Sequence, residues 1–438
     1  MLLESRGIFY YTMIIDTNTM ELRDHQKDII QLMTTQQKGK ILVPTGGGKT
    51  MCMIQDAKWR FSMPMPQTIV VVAPRILLAN QLCSEFLEHI DNVAVCHVHS
   101  GDTHHFQTTR PKVMEKWYHN TVKNILIFTT YHSLHRIQEA QDIEVDTIYF
   151  DEAHNSVQSN FLPAVKHFSD YANRKYFFTA TPKNSNIPDM GMNGKTFGKV
   201  IAQVPAPDLI AKGYIIPPKV KAVKYPVGNF QNQEEIDKKV ILEALKNETH
   251  MDKVLVTSKS TNNIRNLITK TDFQAICHTM KYNVLWITSK FGAIINGKKV
   301  NRETFFNLMN KWGNDPEKKF VMFHHSILSE GMNVSGLTAA ILMRNLDLIT
   351  MAQTIGRVIR LDKSDADKLK SGELKPQSEG FKKPFGKMFV PVYNNVGIST
   401  EKRLQNVVDT IFIKGEAQES IINRNCLLYT SPSPRDRG

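Results

Sequence analysis

The chain has 438 residues, 22% charged and 41% hydrophobic, a composition typical of soluble globular proteins with room for two or three domains. Lys and Arg total 55 against 42 Asp and Glu, so the formal charge is +13 and a polyanionic partner is favoured. No apolar run nears the ~20 residues that span a bilayer, which argues against a membrane partner. Five cysteines (Cys52, Cys83, Cys96, Cys277 and Cys426) form no CxxC pair, which argues against a zinc ribbon or a disulfide framework. A cytoplasmic location is expected.

In chain order, residues 1–19 read as an N-terminal arm without secretory-signal character, with Met13 and Met20 as alternative starts. Short β-branched or aromatic runs then alternate with helix-length segments. Ile41 to Val43, Thr68 to Val72, Ile125 to Phe128, Thr147 to Phe150 and Tyr176 to Phe178 are expected as buried strands. Met51 to Phe61 and Leu77 to Ile90 are expected as crossover helices, which together predict a doubly wound α/β sheet over residues 20–205. Residues 206–250, rich in Pro, read as a connector. A second α/β series over 251–395 uses Val254 to Val256, Ala275-Ile276, Val284 to Ile287, Phe320 to Phe323 and Ala340 to Met343. Within it, Lys363 to Lys387 is expected as an exposed loop. Residues 396–425 read as helical, including Ile421 and Ile422. Residues 426–438 (CLLYTSPSPRDRG) resemble translated read-through of a sequencing adapter and are set apart from the fold.

Two motifs carry chemistry. Pro44-Thr45-Gly46-Gly47-Gly48-Lys49-Thr50 lies between an expected strand and an expected helix. Consecutive glycines let backbone N–H groups wrap a polyphosphate, Lys49 can reach its β- and γ-phosphates, and the Thr50 hydroxyl can ligate Mg²⁺. Val43 stands where the strict pattern wants Gly. The second motif, Asp151-Glu152-Ala153-His154, follows an expected buried strand. There Asp151 can hold the metal and Glu152 can deprotonate an attacking water. His154 either links this site to Thr179-Ala180-Thr181 or caps a turn. The grouping of His97, His99, His104 and His105 with Cys96 and Asp102 has no recurring ligand spacing, so no metal site is expected there.

The P-loop, the DEAH tetrapeptide and Thr179-Ala180-Thr181, in this order, resemble a superfamily 2 helicase of the DEAD/DEAH type, and similar elements extend over most of the chain. Leu22-Arg23-Asp24-His25-Gln26 resembles the adenine-reading element, with Gln26 facing the base. Val72-Ala73-Pro74-Arg75 and Phe128-Thr129-Thr130-Tyr131 resemble strand-contacting motifs. Gln353-Thr354-Ile355-Gly356-Arg357-Val358-Ile359-Arg360 matches Q-x-x-G-R-x-x-R. Ser329-Glu330-Gly331-Met332-Asn333 resembles a nucleotide-contacting motif in which Asn333 replaces the usual acid.

The resemblance implies two tandem RecA-like parallel-sheet domains with ATP and Mg²⁺ at their interface. It further implies catalytic roles for Lys49, Glu152, Gln353, Arg357 and Arg360, and a nucleotide contact at Gly331. Coupling would run through His154, Thr179 and Thr181. Arg75, Thr129, Thr130, Ser258 and Ser326 would contact nucleic acid, although capping explains the Thr and Ser residues equally well. Ala211-Lys212-Gly213-Tyr214-Ile215-Ile216-Pro217-Pro218 resembles a connector of restriction-subunit and phage DNA helicases, which favours DNA over RNA. An RNA helicase, the motor subunit of a restriction complex and a non-hydrolysing nucleotide-gated clamp remain alternatives.

Overall fold

The computed structural model describes residues 22–225, 232–325, 334, 336–392, 397–417 and 420–422. These form two compact units. The first takes the described residues of Met1–Val43, Gly48–Gln203 and Glu419–Gly438; the second takes Pro44–Gly47 and the described residues of Val204–Gln418.

The first unit is built on an eight-stranded sheet. Its strands are β1 (Lys38–Leu42), β2 (Thr68–Ala73), β3 (Ala94–Val98), β4 (Phe106–Gln107), β5 (Ile125–Thr130), β6 (Thr147–Phe150), β7 (Arg174–Thr179) and β9 (Val200–Gln203), in the order β4-β3-β5-β2-β6-β7-β1-β9. All its pairings are parallel. Helices on both faces explain the unbroken apolar runs, because every residue of β2, β5 and β6 is buried. On one face Val70, Val72, Ile127, Ile148, Phe150 and Phe177 join a single core. A short pair, β8 (Lys183–Ser185) with β18 (Ser420–Ile422), stands apart from the main sheet.

The second unit contains β10 (Pro218–Lys224), β11 (Lys253–Thr257), β12 (Tyr282–Thr288), β13 (Gly292–Ile295), β14 (Lys298–Val300), β15 (Lys319–His324), β16 (Ala339–Leu342) and β17 (Gly386–Val392). Their order is β10-β17-β16-β11-β15-β12-β13-β14. Parallel pairing holds from β10 to β12, and β13 and β14 add an antiparallel hairpin at the edge.

Four sequence expectations change. Ala275-Ile276 lie on the helix Phe273–Thr279, because Phe273 and Cys277 bury one helical face while Ala275 and His278 are exposed. The 363–387 stretch is no simple loop: it forms the helix Lys363–Ser371 and opens β17, and Lys383 and Lys387 are buried. Ile421 and Ile422 form strand, not helix; the helical segment ends in a π-turn at Val408–Ile413. The 206–250 stretch supplies β10 and the helix Gln233–Asn247, whose Val240, Ile241, Ala244 and Leu245 enter the core of the second unit. The β13–β14 hairpin, which the sequence reading missed, turns through Asn296-Gly297 with left-handed φ at both positions (47° and 79°), as a two-residue type I′ turn requires. Among the described residues no helix is long and apolar enough to cross a membrane. Cys52, Cys83, Cys96 and Cys277 are free and buried.

A buried polar cluster holds the helix Lys49–Phe61 to the sheet of the first unit. Asp56 and Arg60, one helical turn apart, pair at 2.8 Å with almost no exposure. The Tyr149 hydroxyl on β6 donates to Asp56 Oδ2 at 2.5 Å. Arg60 Nη2 donates to the Met33 carbonyl at 3.3 Å, and the Tyr176 hydroxyl on β7 donates to that same carbonyl at 2.6 Å. Burial raises the Asp56 carboxyl and Arg60 lowers it. Asp56→Ala would strand Arg60 as a buried unpaired cation. The variant is expected to lose about 3–5 kcal/mol in urea unfolding, and Asp56→Leu/Arg60→Met should recover much of that loss.

Candidate functional site

The carboxyl ends of β1, β6 and β7 in the first unit define the site, because parallel strands deliver their following loops to one rim. After β1 the chain turns through Gly46 and Gly48, both left-handed (φ 88° and 85°), and enters the helix at Lys49. Gly48 is required on two counts: its φ, and the Gln26 amide, which a Cβ there would strike. Lys49 and Thr50 occupy the first turn of the helix, the end whose backbone dipoles favour anions.

Gln26 lies on the helix Asp24–Thr35 and is buried against this loop. Its Nε2 donates to the Gly48 carbonyl at 3.2 Å, and its Oε1 accepts from the Arg23 amide at 3.0 Å. The sequence-read glutamine thus stands beside the phosphate loop, with its amide orientation set by both ends.

Asp151 and Glu152 follow β6 and are both buried. Glu152 takes a left-handed backbone (φ 45°), a strained conformation for a non-glycine residue that turns the chain sharply off the strand. Its carboxylate pairs with Lys49 Nζ at 2.8 Å and lies 3.5 Å from His154 Nδ1. His154 Nδ1 is also 3.1 Å from the Thr179 hydroxyl, and Asn155 Nδ2 is 3.3 Å from His154 Nε2. The Thr179 Oγ1 accepts from the Thr181 amide at 3.2 Å. Lys49, Glu152, His154, Thr179 and Thr181 therefore form one connected path from the phosphate loop to the end of β7. Sequence reasoning assigned no role to Tyr131, yet its buried hydroxyl donates to the Asp151 carbonyl at 2.8 Å and fixes the acidic turn. Its place directly after Thr129-Thr130 was the available signal.

Desolvation pushes the Asp151 carboxyl up to about 7; Lys49 opposes the shift and Glu152 adds to it. A carboxylate held so unfavourably as an anion is suited to a cation that arrives with a ligand. Among the described residues no three His, Cys, Asp or Glu side chains group to hold a metal by themselves. The hard oxygen donors here, Asp151 and Thr50, fit a Mg²⁺ that takes its remaining ligands from phosphate and water.

The polymer-contact candidates of the first unit divide. Arg75 is exposed at the start of the helix Ile76–Leu87, on the rim after β2. Thr129 and Thr130 are both buried: the Thr129 hydroxyl donates to the Val98 carbonyl at 2.9 Å, and the Thr130 hydroxyl to Ser133 Oγ at 3.4 Å. Both hydroxyls are engaged inside the domain, so their side chains do not present a contact surface. His97 Nδ1 lies 2.9 Å from His99 Nε2, and the His97 ring stacks between His105 and Phe128. Burial pushes the His97 ring down to about 4.

In the second unit Gln353 and Arg357 stand one turn apart on the helix Leu348–Val358, both buried, with Arg360 just beyond its end. Lys383 Nζ donates to the Arg360 carbonyl at 2.6 Å. His324, buried at the end of β15, is held well below the ordinary imidazole range by desolvation and by Arg357 and Arg344. Ser258 follows β11, is buried, and donates to the Ser260 carbonyl at 3.4 Å. Gly331 and Ser326 lie outside the described residues.

Residues 19–184 match the family model of the type III restriction enzyme res subunit. That match covers most of the first unit and contains both the Pro44–Thr50 loop and the Asp151–His154 turn. A likeness of fold to solved structures extends over both units. The ATP-dependent Type ISP restriction-modification enzyme LlaBIII bound to DNA aligns with TM-score 0.66 and 15% identity, covering 93% of this chain and 31% of that one. A nuclease-deletion mutant of the Type ISP enzyme LlaGI in complex with a DNA substrate mimic gives 0.61 and 16%, covering 94% and 32%. The fragment structure of a putative HsdR subunit of a type I restriction enzyme from Vibrio vulnificus YJ016 gives 0.59 and 15%, covering 93% and 69%. The chain thus spans about a third of the length of the first two, and at these identities the likeness is one of fold. No curated protein matches the chain.

The Asp151 shift has a defined sign. A carboxyl raised in the folded state binds its proton more tightly there than in the unfolded chain. Its ionisation therefore costs stability as pH rises above about 4, and the cost levels off above about 7. Asp151→Asn should raise the melting temperature at pH 8, and the gain should shrink towards zero as pH falls to 4. A pH-independent difference in thermal scans would contradict the burial argument.

Proposed function

We propose that the protein is an ATP-dependent motor that moves on or unwinds nucleic acid, with DNA as its track. The observation that carries this reading is the Lys49–Glu152 pair at 2.8 Å beside the desolvated Asp151. In this helicase Lys49 neutralises the base; an arriving triphosphate competes for the lysine and frees the Glu152 carboxylate to deprotonate water. The loop from Pro44 and Thr45 through Gly46, Gly47 and Gly48 would wrap the phosphates, and Gln26 would read the adenine. Thr50 and Asp151 would hold Mg²⁺, which supplies neutralisation of phosphate charge when bound. We assign Gln353, Arg357 and Arg360 to stabilising charge on the transferred phosphoryl oxygens. His154, Thr179 and Thr181 would pass the state of the nucleotide to the rim of the sheet. Support for DNA comes from the LlaBIII and LlaGI structures, which are complexes with DNA and with a DNA substrate mimic. The chain's +13 charge favours either nucleic acid.

Glu152→Gln should lower steady-state ATP hydrolysis by about 100-fold or more while ATP binding persists, since the lost base is worth roughly 10²–10⁴ in rate. Lys49→Ala should abolish turnover and leave DNA binding measurable. Hydrolysis at the wild-type rate in either variant would refute the assignment. Hydrolysis measured with single-stranded DNA, duplex DNA and single-stranded RNA selects the track: stimulation by DNA alone is expected, and stimulation by RNA alone would make this an RNA motor. Binding without turnover on any polymer would favour the nucleotide-gated clamp.

A further inference from the structure

The second unit carries a basic rim that none of the helicase motifs includes. Between Lys281 and Arg302 the chain has five cations (Lys281, Lys290, Lys298, Lys299 and Arg302) and no acid. The fold gathers three of them with one from a neighbouring helix. β12 runs parallel to β11 and β15, so Lys290 and Phe291 leave the same carboxyl rim that Ser258 and His325 occupy. β13 then runs away from this rim and β14 returns to it, because Ala293 pairs with Val300. That return places Arg302, the first residue of the following helix, at the rim. A Cβ on Gly292 would lie 3.5 Å from Lys299 Cε, so this side chain also reaches back to the rim.

Phe291 is the centre of the group. Lys290 Nζ lies 5.3 Å and Arg265 Cζ 5.5 Å from its ring centroid, and Trp286 supports it edge-on at 6.0 Å. Arg265, Lys290, Lys299 and Arg302 are all exposed. Among the described residues none of the four forms an ion pair. The acids of the adjoining elements are engaged elsewhere: Asp272 and Glu235 with Lys238, and Glu234 with Lys270. Glu303 is the nearest acid in sequence, and next to Arg302 on a helix it points away from it. A half-buried aromatic ring flanked by unpaired cations complements a sugar-phosphate strand, whose charges pair with the lysines and arginines and whose bases can stack on the ring.

We infer that this hairpin rim, centred on Phe291 with Arg265, Lys290, Lys299 and Arg302, is a nucleic-acid contact surface that extends the track beyond the motif residues of the second unit. The inference rests on the nucleic-acid reading given above. Two strand spacings separate β11 from β12, about 10 Å, which spans on the order of three nucleotides at the ~3.4 Å axial rise of one strand. A strand lying at Ser258 therefore reaches Phe291 within a few residues of its length.

The test is fluorescence-anisotropy titration of the full chain with a labelled 20-nucleotide single-stranded DNA over a salt series. Wild type is compared with Lys290→Ala/Lys299→Ala/Arg302→Ala, and separately with Phe291→Ala and Phe291→Leu. Removing three phosphate contacts should flatten the log–log salt slope by about 2 and weaken binding about 10- to 100-fold at ~0.1 M salt. Phe291→Ala should weaken binding with the salt slope unchanged, and Phe291→Leu should not restore it, because packing is kept while stacking is lost. ATP hydrolysis without DNA should be unchanged in the triple variant. Binding by wild type that the triple variant matches in affinity and slope overturns this inference alone. No binding by wild type overturns the nucleic-acid reading and this inference together.

Discussion

Parallel pairing is the constraint on which the rest of the molecule depends. In an all-parallel sheet every strand delivers its next residue to the same rim, so groups distant in sequence meet without a dedicated scaffold. In the first unit β1 brings Lys49, β6 brings Asp151 and Glu152, and β7 brings Thr179 and Thr181 to one edge. The same rule in the second unit lines up Ser258, His325 and Lys290. The antiparallel hairpin breaks the rule at the sheet edge, and by doing so folds a basic segment back onto the rim.

The rim of the first unit is also where stability is given up. Asp151 is buried with a poorly solvated charge, Glu152 is forced into a left-handed backbone, and Gly48 leaves no room for a side chain. The Lys49–Glu152 pair and the Tyr131 hydroxyl partly offset these costs. Behind the site the Asp56–Arg60 pair, bound by Tyr149 and the Met33 carbonyl, ties the helix that follows the phosphate loop to β6 and to the Gln26 helix. A stable interior thus fixes a strained edge and holds its polar groups preorganised.

The rims also differ in how they present charge. Thr129 and Thr130, placed by their motif among the polymer contacts, turn their hydroxyls inward, whereas Arg75 stays exposed. Motif membership locates a residue at the rim; it does not say which atoms face outward. At a strand end the answer depends on pleat and on neighbouring carbonyls, such as that of Val98 on the adjacent strand.

Much of the fold was legible in the residues. Continuous apolar runs bounded by turn or polar residues mark strands buried on both faces, and the helix-length spacers between them require crossovers; β1, β2, β5 and β6 follow directly. The phosphate loop and the acidic turn were legible because each needs residue types that few other structures demand. Local pattern failed where burial came from afar. Ala275 and Ile276 look like a strand, yet Phe273 and Cys277 are held as a helix by packing. Lys383 and Lys387 read as solvated loop, yet carbonyls of Arg360 and Thr249 draw them inside. Only the tertiary structure decided that Glu152 is paired with Lys49, that Tyr131 steadies Asp151, and that Arg265 from a separate helix joins Phe291. Periodicity and turn residues, which act within a few positions, were enough to mark most strands of the first unit and the two motifs at their ends. Which side chains meet was decided by strand order, which depends on pairings between segments far beyond the reach of local pattern, such as β1 with β7 and β10 with β17.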